Sequence, residues 1–341
     1  MQPNSESFAV KERSNQILSR WGVQEPDPRL MRWRRLLIEE IRKSRFLSPL
    51  LKPARKLRAW LTPHSVRKLL RCSISIPRQL EIFQLLKLPA FQDLAATYKE
   101  LPYKYLSDDY LVRDFTVAER ASCFLHHYSY LSATFPARLL HQALHGDISV
   151  LQINESGNLY EITLGLSKPS VCDKEGELSL HLHVNGAPVF NLSFSVVPGG
   201  IVGSQAPDVL LITRIQGMTG CFLPISLATR ALHEVAPPAL LFAALEGVAS
   251  AFGIHAMAGV SAARQVSYDD DNPDSLKEAY DDFFAAVGAT LCPDNFFLSP
   301  LPTQQKPLAS IKKGHKTRTR KKRAFKQQVA DDVCRLLREF R

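Results

Sequence analysis

The sequence predicts an α+β protein in which a basic helical N-terminal region precedes a mixed sheet that is flanked by helices. Two patterns along the chain support this fold class. Apolar residues first recur at the 3.6-residue spacing of amphipathic helices, and after residue 147 they alternate with polar ones, as they do in strands. The 341 residues are 45% hydrophobic and 22% charged, which is typical of globular proteins. This composition argues against a disordered or fibrous chain.

Residues 1–100 are predicted to form the basic helical region. Between Leu30 and Phe46, arginines flank a row of apolar residues that includes Leu37 and Ile41, as in a basic amphipathic helix. Prolines then divide the chain into shorter segments. Further short helices are predicted around 50–60, 63–71 and 77–87.

The body of the protein is predicted to span residues 101–305. It begins with two helices, Thr116–Ala133 and Pro136–Leu144, the second opening on a proline, which is favoured in the first turn of a helix. Four strands follow in two predicted hairpins: Ile148–Ile153 with Leu159–Leu166, and Glu177–Val184 with Pro188–Val197.

The loops and faces of these hairpins can also be predicted. The first pair of strands flanks a five-residue loop, and the second flanks Asn185-Gly186, the strongest short hairpin signal. In the second hairpin one face carries leucine, valine and phenylalanine, and the other carries serine, asparagine and histidine. We therefore expect an antiparallel sheet with one buried face and one partly exposed polar face.

The rest of the body alternates strands and helices. The predicted elements are strand Val209–Ile215, helices Ile225–Val235 and Ala239–Phe252, strand His255–Ser261, a helix from Ser275 to about Val287, and a short apolar stretch at Phe296–Leu298. The last segment, 306–341, opens with a run of lysines and arginines and ends as an amphipathic helix.

Charge is distributed unevenly along the chain, whose net charge is +10. Residues 1–72 hold 17 Lys and Arg against 6 Asp and Glu, and residues 306–341 hold 13 against 3, whereas the middle is acidic. We expect these two basic ends to bind an anionic membrane surface or an acidic protein, or to dock on the acidic body. Little aromatic interleaving accompanies the basic runs, which argues against specific nucleic-acid recognition.

Other features of the sequence predict a cytoplasmic location, either free or peripheral at the inner face of the membrane. The first ten residues do not resemble a signal peptide. The most apolar stretch, Val235–Ala263, is interrupted by prolines and glycine, so a buried helix followed by a buried strand is expected instead of a membrane span. The six cysteines are widely spaced and contain no C-x-x-C pair, as in reduced cytosolic proteins.

A glycine turn after the strand Val209–Ile215 is the main candidate binding site. Backbone N–H groups at such a turn and at the start of the next helix can bind phosphate. Acyltransferases of the GNAT type hold the pyrophosphate of coenzyme A with a similar loop, and the order of predicted elements is also GNAT-like. The candidate cofactor-binding residues are Arg214, Gly217, Thr219 and Gly220, with Thr219 standing where that motif has its last small residue. The implied cofactor is acyl-coenzyme A or an acyl-carrier protein.

Two residues near this turn are candidates for catalysis. Gln216 could support a thioester carbonyl, and His233 on the following predicted helix is the nearest titratable group that could act as a base. No metal site is predicted, because His181 and His183 share a strand face without an obvious third ligand. A serine nucleophile at Ser261 is less favoured, since the sequence after it does not predict the required helix.

Several stretches together resemble the VirK/YbjX family of bacterial proteins over about residue 90 to the C-terminus. They are Glu119-Arg120 to His127-Tyr128, Gly176 to Leu180, Leu192 to Ser195, Arg214 to Gly217, Tyr280 to Phe284, and Ile311 to Arg323. The resemblance implies a protein linked to virulence, envelope stress and resistance to antimicrobial peptides. It implies no catalytic residues, because that family has no settled biochemical activity.

Two hypotheses of different classes remain open at this point. In the first, the body binds an acyl thioester at Arg214–Gly220 and transfers the acyl group to an envelope lipid or protein. In the second, the protein is a non-catalytic adaptor that uses its basic ends to bind a membrane or an acidic partner. The predicted order of elements favours the enzyme, and the lack of a clear general base favours the adaptor.

Overall fold

A computed structural model of the chain describes residues 76–167, 173–269, 271–272, 274, 276–305, 307–311 and 313–340. These residues all belong to one unit, Arg67–Arg341. The helices predicted between Leu30 and Phe46 and around 50–60 and 63–71 lie outside the described residues.

Four α-helices precede the sheet; three of them confirm predicted helices, and the second was not predicted. They are α1 (Ile76–Leu86), α2 (Pro89–Thr97), α3 (Val117–Thr134) and α4 (Ala137–His145). A capping box starts α3, because the Thr116 side chain accepts from the Glu119 N–H and the Glu119 carboxylate accepts from the Thr116 N–H. The rings of Phe91 and Tyr128 lie 5.3 Å apart, so that α2 packs on α3.

The described residues form one eight-stranded sheet. Its strands are β1 (Ile148–Glu155), β2 (Asn158–Leu166), β3 (Leu178–Val184), β4 (Ala187–Pro198), β5 (Asp208–Gly217), β6 (Ala256–Val260), β7 (Thr290–Leu291) and β8 (Phe296–Pro300). Their order is β1-β2-β3-β4-β5-β6-β8-β7. Neighbouring strands are antiparallel except for β5 and β6, which are parallel. The short strand β7 was not predicted.

The helices of the second half connect and cover these strands. They are α5 (Phe222–Ala231), α6 (Pro237–Phe252), a short π-helical turn (Glu278–Asp282) that leads into α7 (Phe283–Ala286), and α8 (Lys316–Arg338). The predicted helix over Ser275–Val287 is therefore shorter and partly π-helical. Helix α6 and strand β6 confirm the buried helix and strand expected within Val235–Ala263. Among the described helices, none is long and apolar enough to cross a bilayer.

The first hairpin has a shorter loop than predicted, whereas the second hairpin has its turn at Asn185-Gly186 as predicted. The ladder between β1 and β2 continues to Glu155 and Asn158, which leaves only Ser156 and Gly157 in the turn instead of five residues. Both turn residues have positive φ, 52° and 75°, the geometry that matches the twist of the flanking strands.

The polar face of the sheet is buried, contrary to the partly exposed face expected from the alternation. Ser179, Asn191, Ser193 and Ser195 are all 0% exposed. The serine hydroxyls bond to one another and to backbone: Ser179 Oγ lies 2.8 Å from Ser193 Oγ, and Ser195 Oγ accepts from the Glu177 N–H. Because hydrogen bonds replace the lost water, small polar residues can be buried here. Alternation alone identified the two faces but not their exposure.

Candidate functional site

Strand β5 extends well beyond the end of its parallel neighbour β6, which ends at Val260. Their pairing covers only Leu210–Ile212 on β5 and Met257–Gly259 on β6. Beyond Ile212, β5 continues to Gly217 while remaining paired with β4 on its other side. The register of that pairing shifts at Thr213, which is a β-bulge in β5. Bulges increase local twist and are common beside functional sites, and this bulge lies where β5 begins to extend past β6.

The π-helical turn and α7 lie beside the part of β5 that extends past β6. The Tyr280 side chain is fully buried there, and the turn that carries it packs on β5. The Phe284 ring covers β6 at Gly259 so closely that a Cβ atom on Gly259 would lie 2.4 Å from the ring. This segment therefore packs on both strands, with the turn of Tyr280 on β5 and the Phe284 ring on β6.

Arg214 is held in place by its own neighbours. Its guanidinium forms an ion pair with Glu175, and its Nε donates a 3.2 Å hydrogen bond to Asn191 Oδ1. The Thr213 hydroxyl donates to the backbone carbonyl of Glu175, which fixes that residue against the bulge. Arg214 is thus a partner within the fold, and a role in binding cofactor stays a prediction.

The Tyr280 phenol completes this polar cluster. Burial, and next the Glu175 carboxylate, raise the pKa of Tyr280 above its ordinary value, while Arg214, the Ile215 backbone and the Gln216 side chain act in the opposite direction. The Tyr280 hydroxyl is therefore near Glu175, Arg214 and Gln216, but it is buried without a hydrogen-bond partner among the described residues. The raised pKa keeps the phenol protonated at neutral pH, so it is a hydrogen-bond donor.

The predicted glycine turn is smaller than expected, because Gln216 and Gly217 belong to β5. Met218 extends the ladder by donating to the Val189 carbonyl at 2.9 Å. The turn itself consists of Thr219 and Gly220, which are exposed, and Gly220 has a φ of +79°. Gly217 is exposed but lies so close to Ile225 that an added Cβ would be 2.9 Å from that side chain.

Helix α5 begins right after this turn, at Phe222, three residues earlier than predicted. Its N-terminus has no side-chain cap, and Pro224 removes one of the first N–H groups. Two early N–H groups remain, those of Phe222 and Leu223. Gly217, Thr219 and Gly220 thus directly precede the N-terminus of α5, and their role in binding a cofactor stays a prediction.

His233 does not lie on a helix, because α5 ends at Ala231. It occupies the following turn with a φ of +54° and is exposed. Its ring packs on Phe325 of α8, with ring centroids 4.6 Å apart. No hydrogen bond or ring contact within the described ranges joins His233 to Gln216. Its role as a base stays a prediction.

A separate cavity of about 280 Å³ lies between α6, α7 and α8. Its walls include Phe242 and Phe283, and Arg323, Lys326 and Glu246 also line it. Burial lowers the pKa of Lys326, and Glu246 partly opposes that effect. The Glu246 carboxylate is held by the Thr303 N–H and hydroxyl, both at 2.7 Å.

The structure also shows what surrounds the two alternative sites that the sequence suggested, Ser261 and the histidine pair His181 and His183. Ser261 is buried and is followed by a short 3₁₀ turn, Ala262–Arg264, instead of the helix that a nucleophile elbow requires. The His183 Nε2 atom lies 3.1 Å from the Thr163 hydroxyl. Across the residues that the structure describes, no group of three His, Cys, Asp or Glu side chains could hold a metal ion.

Three residues of the polar cluster were missed by sequence reasoning. Glu175 and Asn191 carried no motif, although Asn191 stood on the polar face of a predicted strand. Tyr280 belonged to one of the recognised stretches, Tyr280 to Phe284, but nothing in the sequence linked it to Arg214. Only the fold brings these segments together, because they are 16 to 105 residues apart in the chain.

Comparison with known proteins gives one match. A family model described as "Protein of unknown function (DUF535)" matches residues 62–335. No curated protein and no solved structure matches the chain.

Proposed function

The chain belongs to the DUF535 family of proteins of unknown function, and we propose that it is an acyltransferase-like enzyme that binds an acyl thioester where β5 extends past β6. One observation carries the proposal. Strand β5 bulges at Thr213, extends beyond its last pair with β6 at Ile212, and leads through an exposed turn into the N-terminus of α5. This arrangement supports the GNAT-like interpretation of the sequence.

The turn would hold the anionic part of the donor. The exposed Thr219 and Gly220 precede the first N–H groups of α5, and the positive end of a helix dipole favours phosphate. Acyl-coenzyme A carries a diphosphate and an acyl-carrier protein carries a single phosphodiester, and both would meet the same backbone donors. Gly217 lets β5 approach Ile225 closely, which sets the position of α5 relative to the strand.

The polar cluster behind the turn would serve the thioester end. An amine or hydroxyl of the acceptor attacks the thioester carbonyl, a C–N or C–O bond forms, and the C–S bond breaks. The leaving thiolate takes up the proton that the attacking amine or hydroxyl loses, so the products are the acylated acceptor and a free thiol. The Tyr280 phenol, whose pKa is raised by burial, would serve as a hydrogen-bond donor and not as the acid. Gln216 would support the carbonyl oxygen. His233 remains the candidate base that was proposed from sequence.

The acceptor would be a lipid or protein of the bacterial envelope. The resemblance to the VirK/YbjX proteins supports this choice, because it links the chain to virulence, envelope stress and resistance to antimicrobial peptides. The basic half of α8 would keep the enzyme near anionic envelope components.

Calorimetric titration with acetyl-coenzyme A, long-chain acyl-coenzyme A and acyl-carrier protein tests the donor site. Thr219→Glu places a negative charge at the exposed turn, and we expect it to weaken binding by about tenfold or more, whereas Thr219→Gln should bind like the wild type. Gly217→Trp is a poor test, because it would displace Ile225 as well as any ligand. Failure of the wild-type protein to bind any of the three donors would contradict the proposal.

A non-catalytic adaptor is the second candidate, favoured by the exposed cations of α8. Arg320 and Lys321 are both exposed, and neighbouring Arg318 contacts only Glu234 among the described ion pairs. An adaptor that binds an anionic surface through them should lose affinity steeply between low and physiological salt. Combined Arg320→Glu and Lys321→Glu substitutions should then abolish vesicle binding while leaving donor binding unchanged.

A further inference from the structure

Helix α5 exposes three large apolar side chains. Phe222 is 85% exposed, Leu223 67% and Leu227 46%. Leu223 and Leu227 are four residues apart and form one row along the helix, with Phe222 beside the start of that row. The side of α5 that packs on the protein carries the buried Ala228 and the partly buried Ile225. The helix thus presents its largest apolar groups to solvent.

This apolar group is unusual in the part of the chain that the structure describes. Single exposed leucines are common on protein surfaces, and Leu88 and Leu291 are isolated cases here. Three large apolar side chains within six residues form a contiguous patch, and such patches mark sites of interaction. Helix α5 has ten residues and no acidic residue.

Positive charge continues from this patch toward α8. Arg230 is exposed and lies three residues after Leu227, on the same side of α5. Just beyond the helix, Glu234 forms ion pairs with Arg318 and Lys322 of α8, which brings the basic half of α8 next to the end of α5. Apolar side chains bordered by cations are the pattern of helices that lie in an anionic membrane interface.

We propose that α5 inserts its apolar row into the surface of an anionic lipid bilayer. Phe222, Leu223 and Leu227 enter the boundary between headgroups and acyl chains, and Arg230 and the α8 cations contact lipid phosphates. This docking places the Thr219–Gly220 turn at the membrane. The inference does not depend on acyl transfer, but it would bring the proposed enzyme to a lipid or lipid-linked acceptor.

A bilayer fits this surface better than a second copy of the chain. A symmetric dimer through α5 would bring Arg230 and the α8 cations of one subunit near the same cations of the other, which is unfavourable. Three side chains on one short helix also offer little area for a stable protein interface. An anionic bilayer satisfies both the apolar row and the cations.

Flotation of the full-length protein with phosphatidylcholine vesicles, with and without phosphatidylglycerol, tests the insertion. The triple variant Phe222→Ser, Leu223→Ser and Leu227→Ser should bind phosphatidylglycerol vesicles about tenfold or more weakly at physiological salt, where the electrostatic contribution is screened. Leu291→Ser, an exposed leucine on β7, is the matched control and should bind like the wild type. Equal binding by the triple variant and the wild type overturns the proposal.

A second measurement detects the insertion directly. The natural tryptophans, Trp21, Trp33 and Trp60, all precede the described residues. Phe222→Trp should therefore add fluorescence that lipids brominated near the headgroup quench beyond the wild-type level. Quenching no greater than in the wild type would contradict insertion of α5.

Two further readouts separate the proposals. Sedimentation that shows self-association in the wild type, lost in the triple serine variant, would assign the patch to a dimer and overturn the membrane role. Donor binding in calorimetry should be unchanged in Leu227→Ser, because Leu227 lies outside the turn and the first N–H groups of α5 that would bind the donor. Loss of vesicle binding with retained donor binding supports both proposals, and intact vesicle binding without donor binding contradicts only the enzyme.

Discussion

The Tyr128 hydroxyl donates a 2.6 Å hydrogen bond to the carboxylate of Glu177, which is completely buried. Tyr110 donates to the other carboxylate oxygen at 2.6 Å, and the Lys104 ammonium lies 3.0 Å from Glu177. The cluster joins α3 and two earlier loop segments to the start of β3. A buried charge with so many partners is tolerated because each partner replaces water.

Glu177→Gln should destabilise the fold markedly. It removes the negative charge but leaves Lys104, which is only 11% exposed, without its counter-charge. Breaking a buried ion pair in this way typically costs about 3–5 kcal/mol. A lower urea midpoint of unfolding would check this prediction.

The double variant Lys104→Met with Glu177→Gln provides the control. It removes both charges, so it should recover part of the stability that the single variant loses. If Glu177→Gln unfolds at the wild-type midpoint, the ion pair contributes nothing to stability and the interpretation is wrong.

Stability should fall at alkaline pH because of the two buried phenols. Burial, with the Glu177 carboxylate next, raises the pKa of both Tyr110 and Tyr128 well above 10. A pKa that is higher in the folded state contributes stability that is complete below about pH 10 and is lost as the pH rises further. Each phenol should add a slope of up to about 1.4 kcal/mol per pH unit.

Tyr128→Phe isolates the contribution of one phenol. The variant should be less stable at neutral pH, since Glu177 loses a donor, and its stability should decline less steeply above pH 10. Unfolding by urea across that pH range measures both effects. An unchanged alkaline slope in the variant contradicts the assignment.

Acid should destabilise the fold through His127. Burial, and then Lys104 and His126, lower the pKa of His127 from 6.5 to about 3. Its Nδ1 accepts a 3.0 Å hydrogen bond from the Val196 N–H, which requires the neutral ring. Because the folded pKa is depressed, this stability is complete above about pH 6.5 and is lost as the pH falls toward 3, by up to about 1.4 kcal/mol per pH unit.

His127→Asn tests this effect because an amide oxygen can accept the same backbone N–H without titrating. The variant should show a flatter loss of stability between pH 6.5 and 3, measured by thermal or urea unfolding. His141→Asn, at an exposed position on α4, is the control and should keep the wild-type profile. Identical acid profiles for His127→Asn and wild type would rule out this role of His127.

Local patterns in the sequence predicted much of the fold. The 3.6-residue period predicted α3, and Asn185-Gly186 predicted the turn between β3 and β4. The predicted ends of strands were wrong where pairing with a neighbouring strand determines the end. Gln216 and Gly217 looked like a turn, but pairing with Asn191 and Phe190 keeps them in β5.

The candidate site was predicted only in part, for a physical reason. The turn at Thr219 and Gly220 is a local feature of the sequence, so its composition indicated it. The ion pair between Arg214 and Glu175 and the placement of Tyr280 are long-range contacts. Periodicity gives the face on which a residue lies and cannot give its partner across the sheet.

Gly259→Ala should destabilise the protein and disturb the candidate site together. The new Cβ would lie 2.4 Å from the Phe284 ring, which is fully buried and cannot move away without shifting the segment that carries Tyr280. Such overpacking costs about 1–3 kcal/mol. Gly200→Ala is the matched control, because open space surrounds that position. Combining Gly259→Ala with Phe284→Leu should relieve the clash and raise the urea midpoint above that of Gly259→Ala alone. If Gly259→Ala binds the acyl donor as the wild type does while unfolding at a lower midpoint, Tyr280 is not coupled to the site through Phe284.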